Sequence, residues 1–195
     1  ALENDVVSSK LIVKCEGYID LHGERFHCWK KEGHGVVGMR TALKKSCDVY
    51  FYEVARRLGI DRLAETAKKF GLGKKVLQDY KEEKAGVVPN TKWKIKELGK
   101  NWYIGETLHS GIGQGYFLTT PLQLCLMTAQ IANGGFKIKP RIIVNEKNQT
   151  SNLQKFLNHK NSTPGNIMST DDEIFNFGLK PLFRNQENIN LVKEA

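Results

Sequence analysis

The sequence predicts a mainly α-helical chain with an irregular, glycine-rich segment at its front. Apolar residues recur at helical spacing in two neighbouring stretches between positions 40 and 71, and a helix-start motif stands at Thr120. Glycine, histidine and cysteine instead concentrate in residues 1–45, where no helical period runs. We therefore expect three parts: residues 1–45 as a glycine- and cysteine-rich segment, 46–135 as a helical subdomain, and 136–195 as a mixed end.

Glycines punctuate the front segment, which predicts turns rather than long regular elements. The apolar triplet at 11–13 (Leu-Ile-Val) is rich in β-branched residues and predicts one short strand. The glycines that interrupt the rest of the segment are Gly17, Gly23, Gly33 and Gly35. Because the segment holds few apolar residues, it needs another source of stability.

A first helix is predicted from Arg40 or Thr41 to Leu58. Its apolar stripe recurs at i, i+3, i+4 and i+7, through Phe51, Val54, Ala55 and Leu58. Gly59 ends this helix, and Asp61 stands where the N-cap of a second helix belongs, which runs to Gly71. The pair resembles a helix–turn–helix in outline, but it carries no cluster of base-reading side chains, so it predicts core packing.

A glycine-rich turn at 109–116 leads into the clearest helix signal. Thr120 is the predicted N-cap, Pro121 the first helical residue, and Gln123 completes a capping box. We expect a buried stripe on this helix, with Cys125 as an inert core thiol. The stripe consists of Leu122, Cys125, Leu126 and Ala129.

The last part of the chain is more polar. Residues 136–144 predict a short extended segment, which Pro140 breaks. Residues 145–172 are rich in Asn, Ser, Thr and Lys and predict a mobile insert. Residues 189–195 predict the first turns of a helix.

The composition suits one globular domain, or a large part of one, of 195 residues. Its net charge of +9 and pI of about 9.3 are compatible with an anionic partner. The sequence has no RNP-like aromatic motif and no zinc-finger helix pattern, so we expect no nucleic-acid binding. The lysines are spread along the chain, which is typical of a solvated surface.

Membrane and export signals are not predicted within the chain. No apolar run approaches the roughly 20 residues that a spanning helix needs. Residues 1–5 (Ala-Leu-Glu-Asn-Asp) are polar and acidic, unlike a signal peptide. If the parent protein is anchored or exported, we expect the responsible segment outside this chain.

The cysteines and histidines of the front segment predict a possible metal site. Cys15, Cys28, His34 and Cys47 have the spacing C-x12-C-x5-H-x12-C, which is not a standard finger spacing. Three thiolates and an imidazole nevertheless suit tetrahedral structural zinc, whose binding free energy would stabilise the segment. Three alternatives stay open: a Cys15–Cys28 disulfide, three unrelated thiols, or His27 as the ligand in place of His34.

Ser46, Cys47 and Asp48 place a hydroxyl, a thiol and a carboxylate side by side at the head of a helical run. Successive residues on a helix point about 100° apart, so Ser46 can face a cleft while Cys47 faces the glycine-rich segment. A metal on Cys47 would then pin the helix that carries Ser46. The alternative is that Ser46 and Asp48 are ordinary polar residues of a helix start.

Several blocks of the sequence resemble the penicillin-binding protein 2 family, the class B D,D-transpeptidases of the rod-shape or elongation system. The resemblance covers most of the chain in the same order, and residues 145–185 match poorly. The blocks are 26–30 (Phe-His-Cys-Trp-Lys), 33–35 (Gly-His-Gly), 46–52 (Ser-Cys-Asp-Val-Tyr-Phe-Tyr), 58–61 (Leu-Gly-Ile-Asp), 111–116 (Gly-Ile-Gly-Gln-Gly-Tyr), 120–123 (Thr-Pro-Leu-Gln), 139–140 (Lys-Pro) and 189–192 (Ile-Asn-Leu-Val).

The resemblance implies a β-lactamase/transpeptidase-like α/β fold, of which this chain would be the helical subdomain with an irregular zinc-stabilised segment. Such enzymes use a Ser-x-x-Lys nucleophile, a Ser-x-Asn or Ser-x-Asp second motif and a Lys-Ser/Thr-Gly third motif. Only the second is present here, as Ser46 and Asp48. We expect the nucleophile upstream of Ala1 and the third motif downstream of Ala195, so the chain alone should be inactive.

The implied activity is the crosslinking of peptidoglycan stem peptides by serine acyl transfer, in which Ser46 relays a proton and Asp48 orients the relay. The resemblance also implies a structural Zn²⁺ on Cys15, Cys28, His34 and Cys47. The implied partners are stem peptides, β-lactam antibiotics, and rod-system glycosyltransferase and scaffold proteins. The implied location is the periplasmic face of the bacterial inner membrane. A serine β-lactamase or sensor domain, and a basic zinc-stabilised binding module, remain as alternatives.

Overall fold

The computed structural model describes residues 1–77, 80–140 and 180–195. After a short 3-10 helix (Leu2–Asn4), the described residues form four strands and seven helices. None of these helices is long and apolar enough to cross a membrane. The strands are β1 (Ile12–Cys15), β2 (Tyr18–Leu21), β3 (Glu24–His27) and β4 (Gly35–Gly38). The helices are α1 (Met39–Lys44), α2 (Asp48–Leu58), α3 (Ile60–Lys69), α4 (Thr91–Leu98), α5 (Ile104–Gly111), α6 (Pro121–Ala132) and α7 (Glu187–Lys193).

The front part consists of two small antiparallel sheets, in which β1 pairs with β4 and β2 pairs with β3. The predicted strand at 11–13 is confirmed, shifted by one residue at its start. Alternation along β1 and β4 turns Cys15 and Val37 into the core, and both are buried. The chain leaves β1 and approaches β4 through closely apposed turns, where a Cβ on Gly33 would lie 2.2 Å from the Cys15 carbonyl oxygen. A glycine is therefore required where these two turns meet.

The predicted continuous helix from Arg40 to Leu58 is wrong. The chain forms α1 and α2 with a turn at 45–47 between them. Ser46 adopts a φ of 47°, a left-handed conformation that a helix interior does not contain. Cys47 has an extended backbone and is the N-cap of α2, and Asp48 is the first residue of that helix.

The predicted N-cap role of Asp61 is also wrong. The helix α3 begins at Ile60 with Gly59 as its N-cap. The Asp61 carboxylate instead accepts hydrogen bonds from the Thr91 backbone N–H, at 3.0 Å, and from the Thr91 hydroxyl, at 2.9 Å. It thereby joins α3 to the first residue of α4, which is a stabilising role that local sequence does not reveal.

The helices α2 and α5 pack closely against each other, with Gly111 at the crossing. A Cβ on Gly111 would lie 2.4 Å from the Ala55 Cβ and 3.2 Å from the Phe51 carbonyl oxygen. Such distances are far inside van der Waals contact, so the crossing requires a residue without a side chain. The first glycine of the glycine-rich block at 111–116 therefore serves helix packing.

We expect Gly111→Ala to lower the free energy of unfolding by about 1–3 kcal/mol, because α5 must move away from α2 to admit the methyl group. Thermal or chemical unfolding would measure this. The matched control is Gly38→Ala, since Gly38 has a φ of −93° and the nearest atom to its added Cβ is the Leu11 carbonyl oxygen at 4.0 Å. Equal stability losses in the two variants would contradict the close crossing.

The helix α6 begins as predicted. Thr120 is the N-cap and Pro121 the first residue. The capping box is made in both directions: the Gln123 backbone N–H donates to the Thr120 hydroxyl at 3.2 Å, and the Thr120 N–H donates to the Gln123 side-chain oxygen at 3.1 Å. This start signal is confirmed because all its partners are local in sequence.

The predicted buried stripe of α6 is wrong at Cys125, whose thiol is exposed. Gln123 and Gln130 are buried instead, together with Leu126. The Gln123 amide donates to the carbonyls of Lys74 and Ala85, at 2.7 and 2.8 Å, and the Gln130 amide donates to that of Phe70, at 2.9 Å. These amides satisfy backbone carbonyls of the irregular chain after α3, which an apolar stripe could not do.

A buried ion pair fixes α4 against α5. Lys94 is about 2% exposed and pairs with Glu106. The Lys94 ammonium lies 4.8 Å from the ring centre of Tyr103 and 5.8 Å from those of Trp102 and Tyr116. Both the carboxylate and the three ring faces stabilise the desolvated cation. Sequence analysis missed this pair, since its members belong to different helices.

The two ends of the chain lie together. The Arg184 backbone N–H donates to the Glu3 carboxylate at 2.8 Å, and α7 confirms the helix predicted at the end of the sequence. An isolated bridge pairs Phe136 with Pro181. The predicted extended segment is described only as far as residue 140, and the predicted polar insert at 145–172 lies outside the described residues.

Candidate functional site

The four predicted metal ligands converge on one point. The ligand atoms of Cys15, Cys28, His34 and Cys47 all lie within 4.8 Å of one another. His34 Nδ1 is 3.7 Å from Cys15 Sγ and 3.5 Å from Cys28 Sγ. In a tetrahedral zinc site with Zn–S of ~2.3 Å and Zn–N of ~2.05 Å, a sulfur and a nitrogen ligand are about 3.6 Å apart. These residues therefore fit a Zn²⁺ ion in both chemistry and spacing.

Each ligand stands at the end of a secondary-structure element. Cys15 closes β1, Cys28 follows β3, His34 precedes β4 and Cys47 is the N-cap of α2. The Cys28 backbone N–H donates to the Gly17 carbonyl at 2.7 Å, which holds the two turns in register. The strand pairings thus bring together residues that are far apart in sequence, and the cluster joins the front sheets to α2.

The pKa values of two cluster thiols are shifted in opposite directions. The pKa of the Cys15 thiol lies below its ordinary value: burial acts to raise it, but hydrogen bonds from the Gly17 and His34 backbone and from the other thiols outweigh that effect. Burial raises the pKa of Cys47 to about 12, and the neighbouring Cys15 and Cys28 add to the shift. The lowered pKa of Cys15 favours its thiolate, and the raised pKa of Cys47 opposes a second thiolate beside it unless a cation is close by.

The structure separates the ligand alternatives. All four cysteines are free, and no Cys15–Cys28 disulfide is formed. His27 is exposed on β3 and lies outside the cluster. His34 Nε2 is buried without a hydrogen-bond partner among the described residues. If Nδ1 binds a metal, Nε2 carries the ring proton, so this atom lacks the acceptor that usually orients a metal-bound histidine.

Ser46 and Asp48 lie at the turn between α1 and α2. Ser46 is exposed in this structure. Asp48 is half-buried, and its Oδ2 accepts the Trp29 backbone N–H at 2.8 Å. Ser46 in the turn and Asp48 at the first position of α2 therefore flank Cys47, the N-cap residue that belongs to the cysteine cluster. We call residues 45–48 the motif turn. Asp48 also has a structural role that sequence analysis did not anticipate.

Two aromatic residues connect the turn and α2 to the front segment. The Trp29 indole N–H donates to the carbonyl oxygens of Ser46, at 2.8 Å, and Lys45, at 3.2 Å. The Tyr52 hydroxyl donates to the His27 carbonyl at 3.0 Å, and burial raises the pKa of Tyr52 to about 12, so it stays a donor. Sequence analysis assigned neither residue a role, although Trp29 stands next to the predicted ligand Cys28.

The sequence at 109–111 (His-Ser-Gly) has no catalytic geometry. These residues form the last turn of α5, with Ser110 buried and Gly111 packed against α2. A cleft of about 700 Å³ lies between the β2–β3 hairpin and α5, with Phe26, Tyr103 and His109 among its walls. Neither Ser46 nor Asp48 lines this cleft, so the motif turn and the cleft are separate features.

Comparison with known proteins identifies the family. The model of the penicillin binding protein transpeptidase domain matches residues 1–175. The peptidoglycan D,D-transpeptidase MrdA of Acinetobacter baumannii is 40% identical to the chain over 144 residues, which are 73% of this chain and 21% of the relative. The match thus includes most of the chain and a small part of the relative.

Solved structures give the same result. Pseudomonas aeruginosa PBP2, solved in complex with WCK 5153, matches 98% of this chain and 38% of its own, with 33% identity and a TM-score of 0.76. Helicobacter pylori PBP2, solved in complex with MreC, matches 98% of this chain and 31% of its own, with 29% identity and a TM-score of 0.76. The predicted transpeptidase-like α/β fold is therefore confirmed.

The chain spans about a fifth of the length of the curated relatives that it matches. Its matches in sequence and in structure point to the same proteins. The chain belongs to the penicillin-binding protein transpeptidase family and is of the PBP2 type.

Proposed function

We propose that the full-length protein carrying this chain is a peptidoglycan D,D-transpeptidase, and that the chain supplies its second catalytic motif. The observation that carries the proposal is the exposed Ser46 hydroxyl at the head of α2, with Asp48 in the same turn. The family match and the D,D-transpeptidase relatives support it. A nucleophilic serine and its lysine would come from parts of the protein beyond this chain.

The proposed reaction is acyl transfer between stem peptides. The serine oxygen attacks the carbonyl carbon of the D-Ala-D-Ala peptide bond, the C–N bond breaks, and the leaving D-alanine takes a proton. Ser46 would pass that proton to the leaving amine, and Asp48 would hold the turn in place through Trp29. An amine of a second stem peptide then attacks the acyl-enzyme, and the serine recovers its proton as the crosslink forms.

We also propose that Cys15, Cys28, His34 and Cys47 hold a structural Zn²⁺. Support comes from the convergence of their ligand atoms and from the buried, thiol-rich environment. A bound ion of this kind supplies folding free energy and no open coordination position. Its contribution to the reaction would be indirect, because Cys47 directly precedes the first residue of α2 and directly follows Ser46.

The partners and location follow from the same proposal. β-Lactams resemble the D-Ala-D-Ala substrate chemically, so they should acylate the same serine, as the family name suggests. The complex of H. pylori PBP2 with MreC supports an MreC-like scaffold as a partner. We further propose a rod-system glycosyltransferase as a partner, and a location on the periplasmic face of the inner membrane, where peptidoglycan is crosslinked.

The deciding experiment is the reaction of the full-length protein with a penicillin, followed by intact-protein mass spectrometry and by release of hydrolysed penicillin. A transpeptidase should form a stoichiometric, long-lived acyl adduct and should crosslink stem-peptide substrates. Rapid turnover of penicillin without a lasting adduct would instead indicate a serine β-lactamase. If the protein forms no acyl adduct and hydrolyses no penicillin, the proposed function is contradicted.

A further inference from the structure

We propose that Trp29 is a positioning residue for Ser46: its indole N–H fixes the turn that presents the Ser46 hydroxyl. This inference rests on the proposed function for its catalytic consequence. The structural part, that Trp29 holds the turn, stands on hydrogen bonds alone. It assigns a role to a residue that is about 64% exposed and whose presence apolar burial does not explain.

Trp29 makes three hydrogen bonds to the motif turn. The indole N–H is shared between the Ser46 carbonyl, at 2.8 Å, and the Lys45 carbonyl, at 3.2 Å. The Trp29 backbone N–H donates to Asp48 Oδ2 at 2.8 Å. One residue thus binds the turn on both sides of Cys47. No other side chain of the described residues donates a hydrogen bond to these carbonyls.

The turn needs such support because its backbone is unfavourable. Ser46 has a φ of 47°, which residues with a side chain seldom adopt and which persists only where neighbouring contacts enforce it. The backbone N–H groups of the turn bond back to α1: Lys45 to the Thr41 carbonyl at 2.9 Å, Ser46 to the Leu43 carbonyl at 3.2 Å and Cys47 to the Ala42 carbonyl at 2.9 Å. None of these bonds uses the Lys45 or Ser46 carbonyl, and both of these carbonyls accept from the Trp29 indole.

Trp29 can hold the turn because it is itself fixed. It follows Cys28, which is buried in the cysteine cluster. Its ring packs edge-to-face against the His34 ring, with centroids 5.3 Å apart and an interplanar angle of 67°. The indole therefore contacts His34 of the cluster as well as the carbonyls of the motif turn, and it couples the position of the turn to that of the cluster.

The test compares Trp29→Phe with Trp102→Phe in the full-length protein. The first variant keeps an aromatic ring and removes the donor to the turn. The second removes an indole hydrogen bond of the same length, 2.8 Å to the Thr107 hydroxyl, in another part of the chain. Two quantities are measured: the penicillin acylation rate constant, separated from the binding constant, and amide hydrogen exchange of residues 43–48.

We expect Trp29→Phe to slow acylation about ten- to a hundredfold, as displacement of a catalytic group does, with penicillin binding little changed and exchange at 43–48 faster. Trp102→Phe should change neither quantity. Unchanged exchange in Trp29→Phe would overturn the inference even if acylation slowed, because the indole would then affect the reaction by a route other than the turn. Faster exchange with wild-type acylation would overturn the catalytic part.

The outcomes also separate this inference from the proposed function. If the wild-type protein forms no acyl adduct, the proposed function fails, while the exchange measurement still decides whether Trp29 holds the turn. If Trp29→Phe does not fold, benzothienylalanine at position 29 takes its place, since it keeps the bicyclic ring and lacks the N–H group. The same two measurements then apply.

Discussion

Ser46→Ala in the full-length protein is expected to slow penicillin acylation by about 10²- to 10⁴-fold, the range that a positioned proton-transfer group contributes. The Ser46 hydroxyl is exposed at the motif turn and is the proposed relay to the leaving amine. Its loss removes the relay and leaves the attacking serine in place. Stopped-flow or quench measurements of acyl-enzyme formation would give the rate constant.

Ser46→Gly separates the hydroxyl from the backbone. Glycine adopts the observed φ of 47° without strain, so this variant keeps or relaxes the turn while it removes the hydroxyl. We expect it to acylate as slowly as Ser46→Ala. Lys45→Ala, at the exposed neighbouring position, should react at the wild-type rate. Wild-type acylation in Ser46→Ala would remove the relay role and leave Ser46 as a turn residue.

Much of the site could be predicted from the sequence because its parts belong to recognisable blocks. Ser46 and Asp48 stand in one block, and three of the four proposed metal ligands, Cys28, His34 and Cys47, fall in blocks, whereas Cys15 lies outside them. The break between α1 and α2 could not be predicted, since apolar residues continue at helical spacing through it. The turn depends on the indole of Trp29, which is 17 positions away from Ser46 in sequence, and a local pattern does not contain such a contact.

The buried face of α6 also depends on contacts that a local sequence pattern does not contain. Its start was predicted because the capping box of Thr120 and Gln123 is local. Its buried face was not, since hydrophobicity favours Cys125 over the glutamines. Gln123 and Gln130 are buried because irregular backbone packed against α6 presents carbonyls that need donors. Hydrophobic periodicity reports only the spacing of apolar residues, so it cannot show where backbone carbonyls from another part of the chain need a hydrogen-bond donor.

The convergence of the four cluster residues also depends on tertiary structure. Their spacing matches no standard finger, because Cys15 and His34 come together through the pairing of β1 with β4. That pairing places Cys15 opposite Gly35, directly beside His34. Suitable ligand types are visible in the sequence, but the register of the sheet brings these residues together.

Cys47→Ser is expected to abolish zinc binding and to lower the free energy of unfolding by on the order of 3–5 kcal/mol, as loss of a structural metal does. Cys47 is buried in the cluster and is the N-cap of α2, so a metal on it would tie the front sheets to the motif helix. Elemental analysis of the full-length protein, purified without chelator, would count zinc per chain, and thermal unfolding would measure stability.

The matched control is Cys125→Ser, since Cys125 is exposed on α6 and lies outside the cluster. It should keep about one zinc per chain, the single ion that one tetrahedral set of four ligands holds. We expect zinc in the wild-type protein and in Cys125→Ser but not in Cys47→Ser. If acylation is also slower in Cys47→Ser, the metal is linked to the turn that presents Ser46. If Cys47→Ser loses zinc but acylates at the wild-type rate, the metal stabilises the fold and does not affect the reaction. Absence of zinc from the wild-type protein would overturn the metal proposal, whereas the family assignment would stand, because it depends on the fold and sequence matches alone.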